Sequence, residues 1–288
     1  MNIYKNIFSV VSKLTLTVIY VFVIISSFTC KPPNVPSDLN KGFDNPNDPG
    51  GTNFTKPEVY FDSLLSTKDN DVLRIRTVTY AWHGNKSVIK FSWKLDSTSW
   101  SAWTTDTVLT LNNINDDKHA FFVKALHLNN TFESNTIKRN FEVDILQSPA
   151  MYISPLVVEK NVQQEFDVVL RIKKVASLLS SRVLIKYDKT KVQIISSTAD
   201  PFLASNQGAP ILIDKNDKIN GYLDLNFGVG LGSPNGIIGT GSLVKIKMKG
   251  VSAGTTTLSI LKDSVAVLDT LRQKINIAQT DSCLITIK

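Results

Sequence analysis

Two cysteines and three histidines in 288 residues leave little material for thiol, metal or acid–base chemistry. So few cysteines exclude a disulfide-rich scaffold and a zinc site of the paired-cysteine kind. With no Gly-x-Ser-x-Gly segment and so little histidine, Ser–His nucleophilic catalysis lacks its base. His83, His119 and His127 show no metal-ligand spacing and read as structural residues. Charge of one sign is also scarce. The net +7 is scattered, Lys5 and Lys13 contribute two of it, and no long cationic run offers the patch that nucleic-acid binding needs. Charged residues at 20% and hydrophobic residues at 42% exclude a mostly disordered chain and a multi-span membrane protein. Sustained helical periodicity is missing as well, so the pattern predicts an all-β protein, and the length allows about two domains.

What is present begins with an address. Lys5 and Lys13 precede an uncharged apolar stretch from Leu14 to Phe28, short for a spanning helix, which ends in small polar residues and Cys30. The segment Ser26-Ser27-Phe28-Thr29-Cys30 resembles the lipobox of bacterial lipoproteins, although Phe28 is large for its position. The resemblance implies a leader over 1–29, cleavage before Cys30 and lipidation of Cys30. It also implies a bacterial cell-envelope location, lipid-anchored at the outer membrane and open to surface exposure. Several acyl chains, at about 0.8 kcal/mol per buried methylene, hold a folded domain stably where one chain would not. Residues 30–56 are rich in Pro, Asn, Asp and Gly and almost free of aliphatics, which makes them a tether rather than a core.

From Pro57 onward short alternating runs are separated by Asn, Asp, Gly and Ser clusters. Phe91, Trp93 and Leu95 share one face of a run, and Phe121, Val123 and Ala125 share another. The spans 57–147 and 148–288 each read as a β-sandwich. FSWKLDSTSWSAWT, HAFFVKALHLNN and RNFEVDI resemble the immunoglobulin or fibronectin type III-like modules of bacterial surface proteins, here without a cysteine pair. In the second span Phe166, Val168, Leu170 and Ile172 alternate with polar residues. So do Val183, Ile185 and Tyr187, then Leu223, Leu225 and Phe227, then Val244, Ile246 and Met248, then Leu258 and Ile260. This predicts a nine-stranded jelly roll.

The second span resembles the cohesin family. VQQEFDVVLRIKKVASLLSSRVLIKYDKTKVQIIS carries the early strand and the strand ending in Tyr187-Asp188. GYLDLNFGVGLGSPNGIIGTGSLVKIKMKGVSAGTTTLSIL carries the later strands, and LITIK the terminal one. Lys189 stands where proline is common, and Val162-Gln163 replace the usual Gly-Asp entry. Cohesins bind dockerins through one sheet face. The resemblance aligns Ser180 and Arg182 with polar contact positions, and the alternation adds Leu184, Asp224 and Asn226 to that face. The jelly roll is shared with carbohydrate-binding modules, so Trp100, Trp103, Tyr152 and Tyr222 are the alternative, sugar-stacking candidates.

Other features read as structure. The glycines from Gly228 to Gly241 precede a strand-like run, Leu243 to Met248, and so cannot form a phosphate loop. Asp214, Asn216 and Asp217 echo a calcium loop, but Lys218 sits at a ligand position, which favours a hairpin turn. Lys245, Lys247 and Lys249 line one strand face, either solvated or guarding an edge. Cys283 reads as a buried free thiol. The expectation is a non-catalytic envelope lipoprotein, without cofactor or metal, that displays a cohesin-like module for dockerin-type binding or scaffolding. A carbohydrate-binding lipoprotein that assists polysaccharide uptake or degradation is the alternative, and a small surface hydrolase a more distant one.

Overall fold

Alternating apolar residues can bury one face of a strand only if a second sheet covers it, and this requirement shapes the whole protein. The computed structural model describes residues 48–130, 133–204, 209–230 and 236–288, so the leader, Cys30 and the tether up to Asn47 lie outside the described residues. Among the described residues no helix is long and apolar enough to cross a membrane. Pro57–Lys288 is one compact unit. It contains two large cores, one built from Val59 to Val143 and the other from Met151 to Ile287.

The first core lies between two sheets. β1 (Val59–Phe61), β3 (Val78–Gly84) and β5 (Val108–Leu111) form one, and β2 (Asp71–Leu73), β7 (Ile137–Val143), β6 (Lys118–His127) and β4 (Val88–Leu95) the other, each in the order given. Phe91, Phe121, Val123 and Ala125 are buried, as the alternation predicts. Tyr80 stacks on Phe121 with ring centroids 4.1 Å apart, and Trp82 and Trp93 complete an aromatic centre.

The second core is flanked by a five-stranded and a seven-stranded sheet. The first has the order β12 (Val192–Ala199), β15 (Ile237–Gly250), β10 (Glu165–Leu178), β8 (Ala150–Ser154) and β18 (Gln279–Asp281). The second has the order β13 (Ile211–Asp217), β14 (Tyr222–Gly228), β11 (Ser180–Lys186), β16 (Gly254–Ile260), β19 (Cys283–Ile287) and β9 (Val157–Lys160), with β17 (Ala266–Leu268) also paired to β11. The sandwich therefore has twelve strands rather than nine. The entry strand is split at Pro155, which has no N–H for a ladder, and β17 and β18 are short additions. Lys245, Lys247 and Lys249 lie on a central strand opposite Val169, Asp167 and Glu165, so they belong to a solvated charged face and guard no edge.

A β-bulge at Lys173-Lys174 shifts the register of β10 against β15 between Ile172 and Val175, with Lys174 at φ 49°. Ahead of it, Arg171 pairs with Tyr152 and Lys173 with Ala150 across to β8. This outer patch is covered by the loop between β5 and β6. Asn115 Oδ1 accepts the amide of Leu156 at 3.0 Å, the Asp116 carbonyl accepts the Tyr152 hydroxyl at 2.8 Å, and Asp117 pairs with Arg171. The Lys173 ammonium, on a residue 3% exposed, pairs with Asp116, 1% exposed, and with Asp144. Arg76 reaches Asp281 at 2.6 Å beside them. The hydrogen bond and charge of Lys173 hold the Asp144 carboxyl below the usual carboxylate range.

Candidate partner-binding face

β11 and β14 pair in a register that sets Ser180 opposite Gly228, Arg182 opposite Asn226 and Leu184 opposite Asp224. Directly opposed residues of antiparallel strands point to the same side. Val183, Ile185, Leu223, Leu225 and Phe227 face the core, so Ser180, Arg182, Leu184, Asp224 and Asn226 lie together on the outer face, as their alternation predicts. The structure thus makes neighbours of residues 42 positions apart in sequence.

Arg182 and Asp224 form a bidentate ion pair, with Nε donating to Oδ1 at 3.1 Å and Nη2 to Oδ2 at 2.7 Å. Asn226 Nδ2 donates to the same Oδ1 at 3.3 Å. The Arg182 fork holds the Asp224 carboxyl below its ordinary range, and Asp224 in turn raises the guanidinium. A partner therefore meets a preset, internally neutralised pair. Beside it lies a shallow groove of about 450 Å³, bordered by Ser180, Arg182, Ile211, Ile213, Phe227 and Leu268. Ile211 and Ile213 of β13 are 50% and 63% exposed.

The two isoleucines are absent from the sequence reading, because Asp214, Asn216 and Asp217 there form a turn. In the structure Ile211–Asp217 is an edge strand, and the turn follows it, with Asp217 Oδ1 accepting the amides of Ile219 and Asn220 at 3.0 and 3.1 Å. The apolar triplet Ile211-Leu212-Ile213 was the available signal. Tyr222 shares the outer face, opposite Lys186 and Asp217, and among the described residues no second ring stacks with it.

The other sugar-stacking candidates sit differently. Tyr152 is 0% exposed, buried beneath the β5–β6 loop, with burial pushing its hydroxyl up to about 12, so its expectation as a stacking residue is corrected. Trp100 and Trp103 flank β4, but Lys94 and Lys124 stand over the Trp100 ring at 5.2 and 4.8 Å, and Lys124 over Trp103 at 5.0 Å. Cations thus occupy ring surface that a neutral sugar would need. His119 and His127 are buried, and among the described residues no three His, Cys, Asp or Glu side chains converge to hold a metal.

Comparison with curated proteins gives no match. Among solved structures the chain is similar to CaCohA2 from Clostridium acetobutylicum, at 17% identity over 49% of this chain and 96% of that one, with TM-score 0.41. It is also similar to a non-cellulosomal cohesin from Archaeoglobus fulgidus, at 12% identity over 48% and 90% of the two chains, with TM-score 0.39. A type I cohesin–dockerin complex from Clostridium thermocellum matches at 10% identity over 48% and 91%, with TM-score 0.40. Residues 153–282, within the sandwich that carries the Arg182–Asp224 face, match the model of the cohesin domain family.

Proposed function

We propose that the chain is a non-catalytic display or scaffolding protein whose outer face on β11, β13 and β14 grips a protein partner of the dockerin type. The observation that carries this reading is the chemistry of that face. It is aliphatic at Leu184, Ile211 and Ile213 and centred on one bidentate ion pair, and among the described residues it carries no row of stacked rings. Protein interfaces draw their energy from such a centre, an arginine among apolar neighbours, and a glycan platform would need aromatic rings. The covered β8–β10 patch supports the same choice, because the β5–β6 loop already occupies part of the opposite sheet.

The N-terminal features complete the reading: a lipid on Cys30 and the tether over residues 30–56 would hold the binding face at the cell envelope, on the outer membrane. The test is affinity capture with the full-length protein against exported proteins of the source organism, comparing wild type with Arg182→Glu. A protein captured by the wild type and lost at least ~30-fold with the variant is expected, since a central arginine is worth roughly 2 kcal/mol or more. Equal capture by both forms would exclude this face.

A further inference from the structure

We propose that the outer face of β4, β6 and β7 binds an acidic polysaccharide through a row of preset lysines. The register places Lys94, Phe122 and Lys138 side by side across the three strands, all pointing away from the core. The segment after β4 returns along its edge, with Thr104 bridged to Phe91, and brings Trp100 and Trp103 beside that rung and the next one, where Lys124 stands opposite Ser92. Cations and rings interleave across the two rungs. Lys138 stands 5.8 Å from the centre of Phe122, which Lys94 meets at 4.9 Å. Trp100 lies between Lys94 and Lys124, and Trp103 closes the row against Lys124.

This arrangement changes what lysine can do. A free surface lysine loses much rotamer freedom on gripping an anion, whereas an ammonium already held over a ring has lost part of it beforehand. Glu133 neutralises Lys124 at 2.7 Å, and among the described residues neither Lys94 nor Lys138 has a carboxylate partner. The row therefore keeps two uncompensated, preset charges. They are two strand spacings apart, about 10 Å.

The spacing selects the ligand class. Duplex nucleic acid carries a charge every ~1.7 Å of its axis and calls for a far denser set of cations. A lipid surface is met by a broad basic field, and here only Lys94 and Lys138 are uncompensated. A uronic-acid polymer is linear and sparsely charged, its carboxylates set apart by whole sugar rings. Neutral sugars gain little here, because the lysines already cover the ring faces.

The experiment is affinity electrophoresis of the full-length protein in gels containing polygalacturonate, hydroxyethylcellulose or poly-L-glutamate, with flotation on vesicles containing anionic lipid. Retardation by polygalacturonate alone is expected. Lys94→Gln/Lys138→Gln should weaken it about 5-fold with an unchanged melting temperature, Lys94→Arg/Lys138→Arg should restore it, and salt should diminish it. Absence of retardation by polygalacturonate, equal retardation by the neutral or peptide polymer, an unaffected double-Gln variant, or flotation that the double-Gln variant reduces would each overturn the proposal. Loss of polygalacturonate binding leaves capture through Arg182 intact, so the two readings fail separately.

Discussion

Replacing Lys173 by Met removes one ammonium from a buried site. Three oxygens are left behind: Asp116 Oδ1, Asp144 Oδ1 and the Leu146 carbonyl, which accepted Nζ at 3.1 Å. Asp144 keeps Arg74 at 2.9 Å and Lys174 at 3.4 Å, so it is compensated. Asp116 keeps only the amides of Ile145 and Leu146, at 2.6 and 2.7 Å, and stays buried. Breaking a buried pair from one side costs about 3–5 kcal/mol. The two amides place this case at the lower end, about 3 kcal/mol, or a melting temperature lowered by about 6–12 °C for a unit of this size. Lys174→Met, which removes a half-exposed ammonium 3.4 Å from Asp144, should cost under ~0.5 kcal/mol. Adding Asp116→Asn to Lys173→Met removes the stranded charge and should recover at least ~1 kcal/mol, read as coupling in a double-mutant cycle by urea unfolding. A loss below ~1 kcal/mol for Lys173→Met, or strict additivity in the cycle, would refute the argument that this ion group is energetically coupled.

Three further outcomes follow from other sites. Arg182→Glu, outward and exposed, should leave the urea midpoint within ~0.5 kcal/mol of wild type, and a larger loss would mean that the ion pair supports the fold. His119 is pulled downward by burial, but its hydrogen bonds to Asp96 at 2.8 Å and to the Asn115 carbonyl outweigh this and hold its pKa above 6.5. Its contribution is therefore complete below pH 6.5 and fades as pH rises through the folded-state value, and His119→Gln should flatten urea midpoints measured from pH 5 to 9. Cys30→Ser should abolish palmitate labelling, and labelling that survives would exclude Cys30 as the lipid site.

Alternation made most of the two cores legible, because a period of two is a local property: Phe166 to Ile172 and Val183 to Tyr187 could be assigned inward from their neighbours alone. The candidate face was legible for the same reason, since Arg182 and Asp224 sit opposite the inward phase of their own strands. What could not be read depends on pairing at a distance. Lys173 looks like any strand lysine until Asp116, 57 residues away, is brought beside it. Tyr152 has the composition of a surface ring and lacks any local sign of the loop that covers it. β13 was hidden by its own Asp and Asn residues, which carry turn chemistry but here lie in an edge strand, Asp214 and Asn216 on the phase opposite Leu225 and Leu223 and the apolar Ile211 and Ile213 turned outward.

The clasp formed by Asn115, Asp116 and Asp117 also governs how tension travels. A pull on the Arg182 face, resisted at Pro57, reaches the first sandwich along the short covalent stretch from Asp144 to Pro149. In parallel it runs through Arg171–Asp117, Lys173–Asp116 and Arg76–Asp281. While those contacts hold, the covalent stretch is spared extension, and the two sandwiches move under force as one stiff lever instead of two beads on a string. The mechanical strength of the second sandwich is then set as much by a loop of the preceding one as by its own β-ladders.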